Sequence, residues 1–298
     1  MKSIFKRIWL NKKYIVGLAT KLTGYLFAVI GFIGTFAPWE QLQNTKLSIQ
    51  HRLVISLIIL IMTWMFFLFV SVFNFLLRRR LKLFEVSNGY SVYVQYGDIF
   101  SAREVVNPQE RRNVVIPVNR CFDTIINNDL ISEKTLHGIT MKKLYSENRF
   151  TEESLNTEIQ KSLSLQSIDS VEISRQEKRE GNLKRYNVGS VAEIKESEIC
   201  TYFFLGLSTF DKDLHAHTSN DEYVVALMRL IEFCNARSQK YPVVIPLIGA
   251  GASETRKTES DILQYFIKLI KMNKELINCD LHIVVRDSGK ETIAITEV

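Results

Sequence analysis

The longest apolar run in the chain, Leu53 to Leu77 (LVISLIILIMTWMFFLFVSVFNFLL), passes 25 residues without a charged side chain. As a helix rising about 1.5 Å per residue it reaches roughly 37 Å, enough to cross a hydrocarbon core of ~30 Å with some tilt. A weaker apolar segment, about 14 to 39, precedes it; Lys21 interrupts this segment, and Gly17, Gly24, Gly31, Gly34 and Pro38 loosen it. Lys21 lies near one end, where its amine can snorkel to the headgroups. A cleavable signal peptide fits poorly, because the segment is long and a second span follows after a short loop. The pattern predicts a transmembrane helical hairpin within residues 1–82.

Beyond Lys82 the periodicity changes. YSVYVQYGDI mixes aromatic and β-branched residues and predicts a strand ending at Gly97-Asp98. NVVIPVN (113–119) predicts a short buried strand, and TLHGITMKKLY a helix. Between Ser146 and Arg185 the chain turns polar, and the heptad-like Leu155, Ile159 and Leu163 predict a surface helix on an insertion, about 146–185. YNVGSVAEIKESEICTYFFLGLSTF predicts a hairpin whose two β runs flank the polar KESE. SNDEYVVALMRLIEFCNAR predicts an amphipathic helix behind an Asn/Asp cap, with Val224, Leu227, Leu230, Ile231 and Cys234 on its apolar face. YPVVIPLIGAGAS follows as a buried strand plus loop, then ESDILQYFIKLIKMNKELI as a second amphipathic helix and CDLHIVVRD as a last central strand. Such alternation predicts an α/β domain over 83–298, with a mixed sheet covered on both faces. Ligands of these sheets sit outside the carboxyl ends of the strands. Three loops collect there: Gly97-Asp98-Ile99, Asn119 onward, and Gly249-Ala250-Gly251.

Charge sharpens this picture. The formal net charge is +6, yet residues 1–82 hold 12 Lys/Arg against one acid, while the remaining 216 hold 26 Lys/Arg against 31 Asp/Glu. The basic character belongs to the membrane flanks and the α/β part is mildly acidic, which argues against nucleic acid as a partner. Lys2, Lys6, Arg7, Lys12 and Lys13 precede the first span, and Arg78, Arg79, Arg80 and Lys82 follow the second. By the positive-inside rule both termini are then cytoplasmic. Four dispersed cysteines without a CxxC read as thiols in a reducing compartment. His215 and His217 could supply two metal ligands, but no residue is read as completing a set, and no metal or cofactor is implied.

The run VVIPLIGAGAS ends in small residues that can present backbone N–H groups to a phosphate. A dinucleotide fingerprint fails because its third glycine position is Glu254, and a P-loop fails because Arg256 stands where the second glycine must turn the chain. A third pattern remains: YGDIF at 96–100, VVIPVN at 114–119 and VVIPLIGAGAS at 243–253, in that order and each at a strand end. It resembles the macro domain, an ADP-ribose-binding three-layer α/β/α module. With the hairpin and RYNVGSVAEI…YFFLGLSTFD, the chain looks like the transmembrane macro-domain effectors of bacterial Thoeris anti-phage systems. The resemblance implies that Asp98 accepts from the adenine amino group, with Ile99 packed beside the ring. It implies that Asn119 lies near the distal ribose and that Gly249, Ala250 and Gly251 cradle the diphosphate. His137-Gly138 would stand in for the first glycine-rich loop. The family's Asn-Ala-Ala-Asn and triple glycine are replaced by PVNRCFD, which argues against hydrolysis and for a reshaped distal pocket where Arg120 or Asp123 could meet an extra group.

The functional expectation is a non-enzymatic effector at the bacterial inner membrane. Its partner would be a TIR-domain enzyme that consumes NAD and makes an ADP-ribose-type signal, in this branch a histidine conjugate. Binding would drive the hairpins, embedded in membrane lipid, into homo-oligomers that disrupt the membrane; Gly17, Gly24, Gly31 and Gly34 permit close helix approach. The alternatives are a membrane-tethered ADP-ribosyl or ADP-ribose-phosphate hydrolase, and a plain membrane anchor whose domain recruits a protein partner.

Overall fold

A computed structural model describes residues 2–36, 48–249 and 258–297. It resolves into two compact units: residues up to Arg79 together with Ala294–Glu297, and Arg80–Ile293.

The first unit contains α1 (Lys2–Leu10), α2 (Lys12–Gly34) and α3 (Ile49–Leu77). The last two are long and apolar enough to cross a membrane, with mean hydropathies of 1.7 and 2.9. They pack as an antiparallel pair. Ile15, Ala19 and Thr23 of α2 are buried, as are Ser71 and Phe75 of α3. The Trp64 indole donates to Thr20 Oγ1 at 3.2 Å, and Arg78 donates to the Tyr14 hydroxyl at 3.2 Å. Gly17, Gly24 and Gly31 have no atom within 4 Å of a notional Cβ, so their stripe faces away from α3. Pro38, Trp39 and most of the connecting segment lie outside the described residues.

The second unit is built on a mixed sheet. In chain order its strands are β1 (Arg80–Glu85), β2 (Ser91–Gly97), β3 (Arg112–Asn119), β6 (Val191–Ser197), β7 (Cys200–Phe210), β9 (Val243–Pro246) and β10 (Leu281–Arg286), with the short β8 (Ala216–His217) paired to β7. A separate two-stranded sheet joins β4 (Ser170–Glu172) to β5 (Lys184–Tyr186). The main order is β1-β2-β10-β9-β3-β7-β6. The five inner strands are parallel, and β1 and β6 close the edges antiparallel. The inner strands read as near-continuous apolar runs because both faces are covered.

Helices supply the two outer layers: α4 (Leu136–Ser146), α5 (Glu152–Leu165), α6 (Asn220–Arg237) and α7 (Glu259–Met272). The period-2 alternation of strands assigns the faces. Val114, Ile116 and Val118 of β3 join Tyr202 and Phe204 of β7 in one cluster with Met141 and Leu144 of α4 and Leu155, Ile159 and Leu163 of α5. On the other face Phe203 meets Phe233 of α6 edge-on, centroids 5.0 Å apart. Burying a side chain of this size stabilises by about 1.5–3 kcal/mol, so the α5 stripe is a core element and not only a surface helix. Helix starts follow cap chemistry: Thr151, Ser219 and Thr258 each form a capping box. The α6 cap is therefore Ser219, one residue before the expected Asn/Asp pair. Strand β1 was not anticipated, since RLKLFE reads as the basic flank of a membrane span.

Candidate functional site

All five parallel strands end on one edge: β2 at Gly97, β10 at Arg286, β9 at Pro246, β3 at Asn119 and β7 at Phe210. The sequence-predicted loops meet there. A Cβ on Gly97 would crowd the carboxylate of buried Glu104, so a larger residue here would oblige that side chain to shift. Asp98 is exposed, and its Oδ1 accepts from the Phe100 N–H at 3.1 Å, an Asx turn that presents the carboxylate outward. Ile99 is 6 % exposed and packed in the core cluster, so it offers the edge little surface.

Asn119 closes β3. It is 3 % exposed, its Oδ1 accepts from the Cys121 N–H at 3.0 Å, and among the described residues its Nδ2 makes no hydrogen bond. That amide lies near enough to help hold the Asp123 carboxyl down, though without hydrogen-bond geometry. The loop that follows is strained: Phe122 is left-handed at φ 51°, with its ring edge-on to Tyr186, centroids 5.6 Å apart. Arg120 ties the loop to its neighbours. Its Nε donates to the Tyr186 carbonyl at 2.9 Å and its Nη1 to Glu222 Oε1 at 2.8 Å. Burial pulls the guanidinium's pKa down, and the Glu222 carboxylate opposes that shift.

Asp123 is not free to meet a ligand. It is 1 % exposed and accepts from the fully buried Lys178 ammonium at 2.6 Å and from the Asn182 N–H at 2.6 Å. Lys178 also donates to the Asn182 carbonyl at 2.8 Å. Burial raises the Asp123 pKa, while Lys178 and Asn182 lower it. Gly181 makes room, because a Cβ there would lie 2.3 Å from Asp123 Oδ1.

His137 and Gly138 sit in the first turn of α4 and brace this loop. The His137 Nε2 donates to the Asp123 carbonyl at 3.0 Å; burial lowers the imidazole pKa to about 4, so the ring is neutral near pH 7. The Gly138 N–H donates to Thr135 Oγ1 at 3.1 Å, and a Cβ on Gly138 would strike the Ser132 carbonyl oxygen at 2.2 Å. Both residues are engaged within the protein.

The loop after β9 is described through Gly249, whereas Ala250 and Gly251 lie outside the described residues. Gly249 has φ 86°, a backbone that favours glycine. Tyr223 holds it in place, donating to the Ile248 carbonyl at 2.9 Å. Arg120, Glu222, Tyr223 and Gly249 thus link the β3 and β9 loops into one wall. Tyr223 is absent from the apolar face read from the sequence, which takes Val224 instead, whereas the structure buries Tyr223; an aromatic hydroxyl in the first turn of an otherwise aliphatic stripe is the available signal. His215 and His217 also find company that the sequence reading overlooked: Asp211 Oδ2 lies 3.4 and 3.2 Å from their ring nitrogens, and Asp213 stands close by.

A three-layer α/β/α domain whose parallel strands open on such an edge belongs to a group of ligand-binding folds that includes the macro domain. The family model described as "Thoeris protein ThsA, Macro domain" matches residues 92–286, and the chain belongs to that family. It is similar to Thoeris protein ThsA of Bacillus amyloliquefaciens (strain Y2), 30 % identical over 181 residues that cover 59 % of this chain and 53 % of that protein. The chain thus spans about half the length of the curated relative it matches. Among solved structures, a protein from Bacteroides thetaiotaomicron has a TM-score of 0.35 at 14 % identity, over 64 % of this chain and 97 % of that one. Thermosipho africanus DarTG in complex with ADP-ribose has a TM-score of 0.33 at 8 % identity, over 70 % of this chain and 45 % of that one. Both scores are under 0.5, so the assignment rests on the sequence match.

Proposed function

We propose that this protein is an anti-phage effector whose macro domain senses an ADP-ribose-type nucleotide and whose apolar helices respond to it. The observation that carries the reading is the shared edge itself. Asp98 on β2 and Asn119 on β3 are separated by two intervening strands, roughly 14 Å at the usual strand spacing. The β9 loop, with its left-handed Gly249, lies between them. That is the layout for an extended ligand with a base at one end, a diphosphate in the middle and a sugar at the other. Asp98 is the proposed adenine acceptor, with Ile99 beside it, and the Asn119 amide meets the distal ribose. Gly249, Ala250 and Gly251 form the diphosphate cradle. His137 and Gly138 act by supporting the loop after β3. Membership of the Thoeris family supports a TIR-domain enzyme as the source of the signal, and histidine-ADP-ribose is the form we favour.

The response would be assembly. The open stripe of Gly17, Gly24 and Gly31 is free for a second copy, and two spans per chain would need several copies to breach a membrane. A ligand shifts assembly only by its differential affinity for the two states. Calorimetry on the full chain in detergent tests the sensor directly: saturable heat with ADP-ribose or its histidine conjugate, and recovery of unchanged ligand, are expected. Absence of binding by both overturns the reading, and turnover replaces it with a membrane-tethered hydrolase.

A further inference from the structure

The end of the sheet remote from that edge contains a second polar site. A cavity of about 280 Å³ opens where β3 and β7 begin, lined by Arg112, Arg149, Lys143, Glu196 and Tyr202 and walled by Phe100. Seven strand rises, roughly 23 Å, separate Arg112 from Asn119, although Phe100, which walls the cavity, lies only two residues from Asp98.

The guanidinium of Arg112 is its unusual feature. Arg112 is 7 % exposed, yet among the described residues its Nε and Nη1 have no hydrogen-bond partner, and Nη2 makes a single long bond of 3.4 Å to the Phe100 carbonyl. Among the described residues no carboxylate forms an ion pair with it, although Glu196 lines the same cavity. A buried cation is costly to keep without a partner, and an arginine fork presents paired N–H groups that match a planar oxyanion. Lys143 is engaged by Glu147, whereas Arg149 at the rim makes no ion pair among the described residues. The cavity greatly exceeds the space one water molecule needs, and Phe100 and Ile199 add apolar wall.

We propose that this cavity is an oxyanion-binding site, in which the Nε and Nη1 edge of Arg112 receives the phosphate or carboxylate head of a small organic anion and Arg149 approaches it from the rim. Glu196 opposes binding and sets the affinity. The site also touches the first one indirectly: the Phe100 carbonyl accepts from Arg112, and the Phe100 N–H is held by Asp98.

The test uses the full chain in detergent, with inorganic phosphate and phenyl phosphate as probes and potassium chloride of equal ionic strength as control. Thermal unfolding should shift upward saturably with both, more strongly with phenyl phosphate because the apolar wall contributes. Arg112→Met should weaken binding about tenfold or more, the usual consequence of losing charge-assisted hydrogen bonds. Glu196→Gln, which leaves Arg112 in place, should tighten it about threefold. If Arg112→Met does not fold, Glu196→Gln and Arg149→Ala still decide. Absence of a saturable shift in the wild type, or equal affinities in wild type and Glu196→Gln, overturns the proposal. A chloride effect equal to that of phosphate also overturns it.

Discussion

Tyr223 donates its hydroxyl to the Ile248 carbonyl at 2.9 Å, and its ring lies 2.8 Å from where a Cβ on Gly249 would stand. One side chain therefore sets both the position and the composition of the loop after β9. With φ at 86°, an alanine at 249 would add backbone strain of about 1–2 kcal/mol to the clash with the ring. Gly249→Ala should lower the thermal midpoint by several degrees, since about 1 kcal/mol shifts a domain of this size by roughly 2–4 °C. It should also weaken ADP-ribose binding in calorimetry. Tyr223→Phe should cost only about 1 kcal/mol, the ordinary worth of one hydrogen bond. Equal melting of Gly249→Ala and wild type would show that the loop does not depend on this contact.

The Lys178–Asp123 pair fixes the loop after β3 from beneath, with side chains 0 % and 1 % exposed. Removing one partner leaves the other charge buried, at a cost of about 3–5 kcal/mol. Lys178→Met should therefore be among the most destabilising substitutions in the domain. Adding Asp123→Asn, which removes the orphaned charge and keeps an acceptor for the Asn182 N–H, should recover part of the loss. Urea midpoints of the single and double variants check this; a double variant less stable than the single would contradict it.

These dependencies mark where the sequence is legible and where it is not. The inner strands could be read because their β-branched runs are buried on both faces, and helices α4, α6 and α7 because their stripes repeat at 3.6 residues. Strand β1 was hidden by its basic residues, and β4, β5 and β8 are too short to carry a period. At the site, residue types were legible but their reasons were not. Gly138 resembled a phosphate-loop glycine, yet the structure gives it a backbone contact with the Ser132 carbonyl. Asp123 looked available because its partner Lys178 lies 55 residues away. Contacts closed only by the fold leave no periodic trace.

Two buried histidines predict an acid-sensitive domain. Burial holds the His137 pKa at about 4 and that of His282 at about 3, below the ordinary 6.5. Well above pH 6.5 neither folded nor unfolded rings bind protons and stability is unaffected. As pH falls the unfolded chain protonates first, so stability is lost progressively until the folded pKa is passed. For His137 the loss approaches about 3 kcal/mol near pH 4. Urea midpoints measured from pH 7 to 4 should fall, and His137→Gln should flatten that dependence. An unaltered slope in both His137→Gln and His282→Gln would assign the acid sensitivity to carboxylates instead.

Asp98 is the residue on which the adenine assignment stands or falls. It is exposed, and its internal role is a turn capped through the Phe100 N–H at 3.1 Å. Asp98→Ala should therefore leave the fold nearly as stable as wild type. If the carboxylate accepts from a base amino group, the same change should weaken ADP-ribose by about 1–3 kcal/mol, or roughly 5-fold to 150-fold. Asp98→Asn keeps an oxygen acceptor for both the turn and the amino group, so it should lose less. Comparing ADP-ribose with ribose 5-phosphate separates the possibilities further, because a ligand without the base has nothing to lose at this position. An Asp98→Ala chain that binds ADP-ribose with wild-type affinity would move the adenine away from β2, leaving the Asn119 and Gly249 loops as the site.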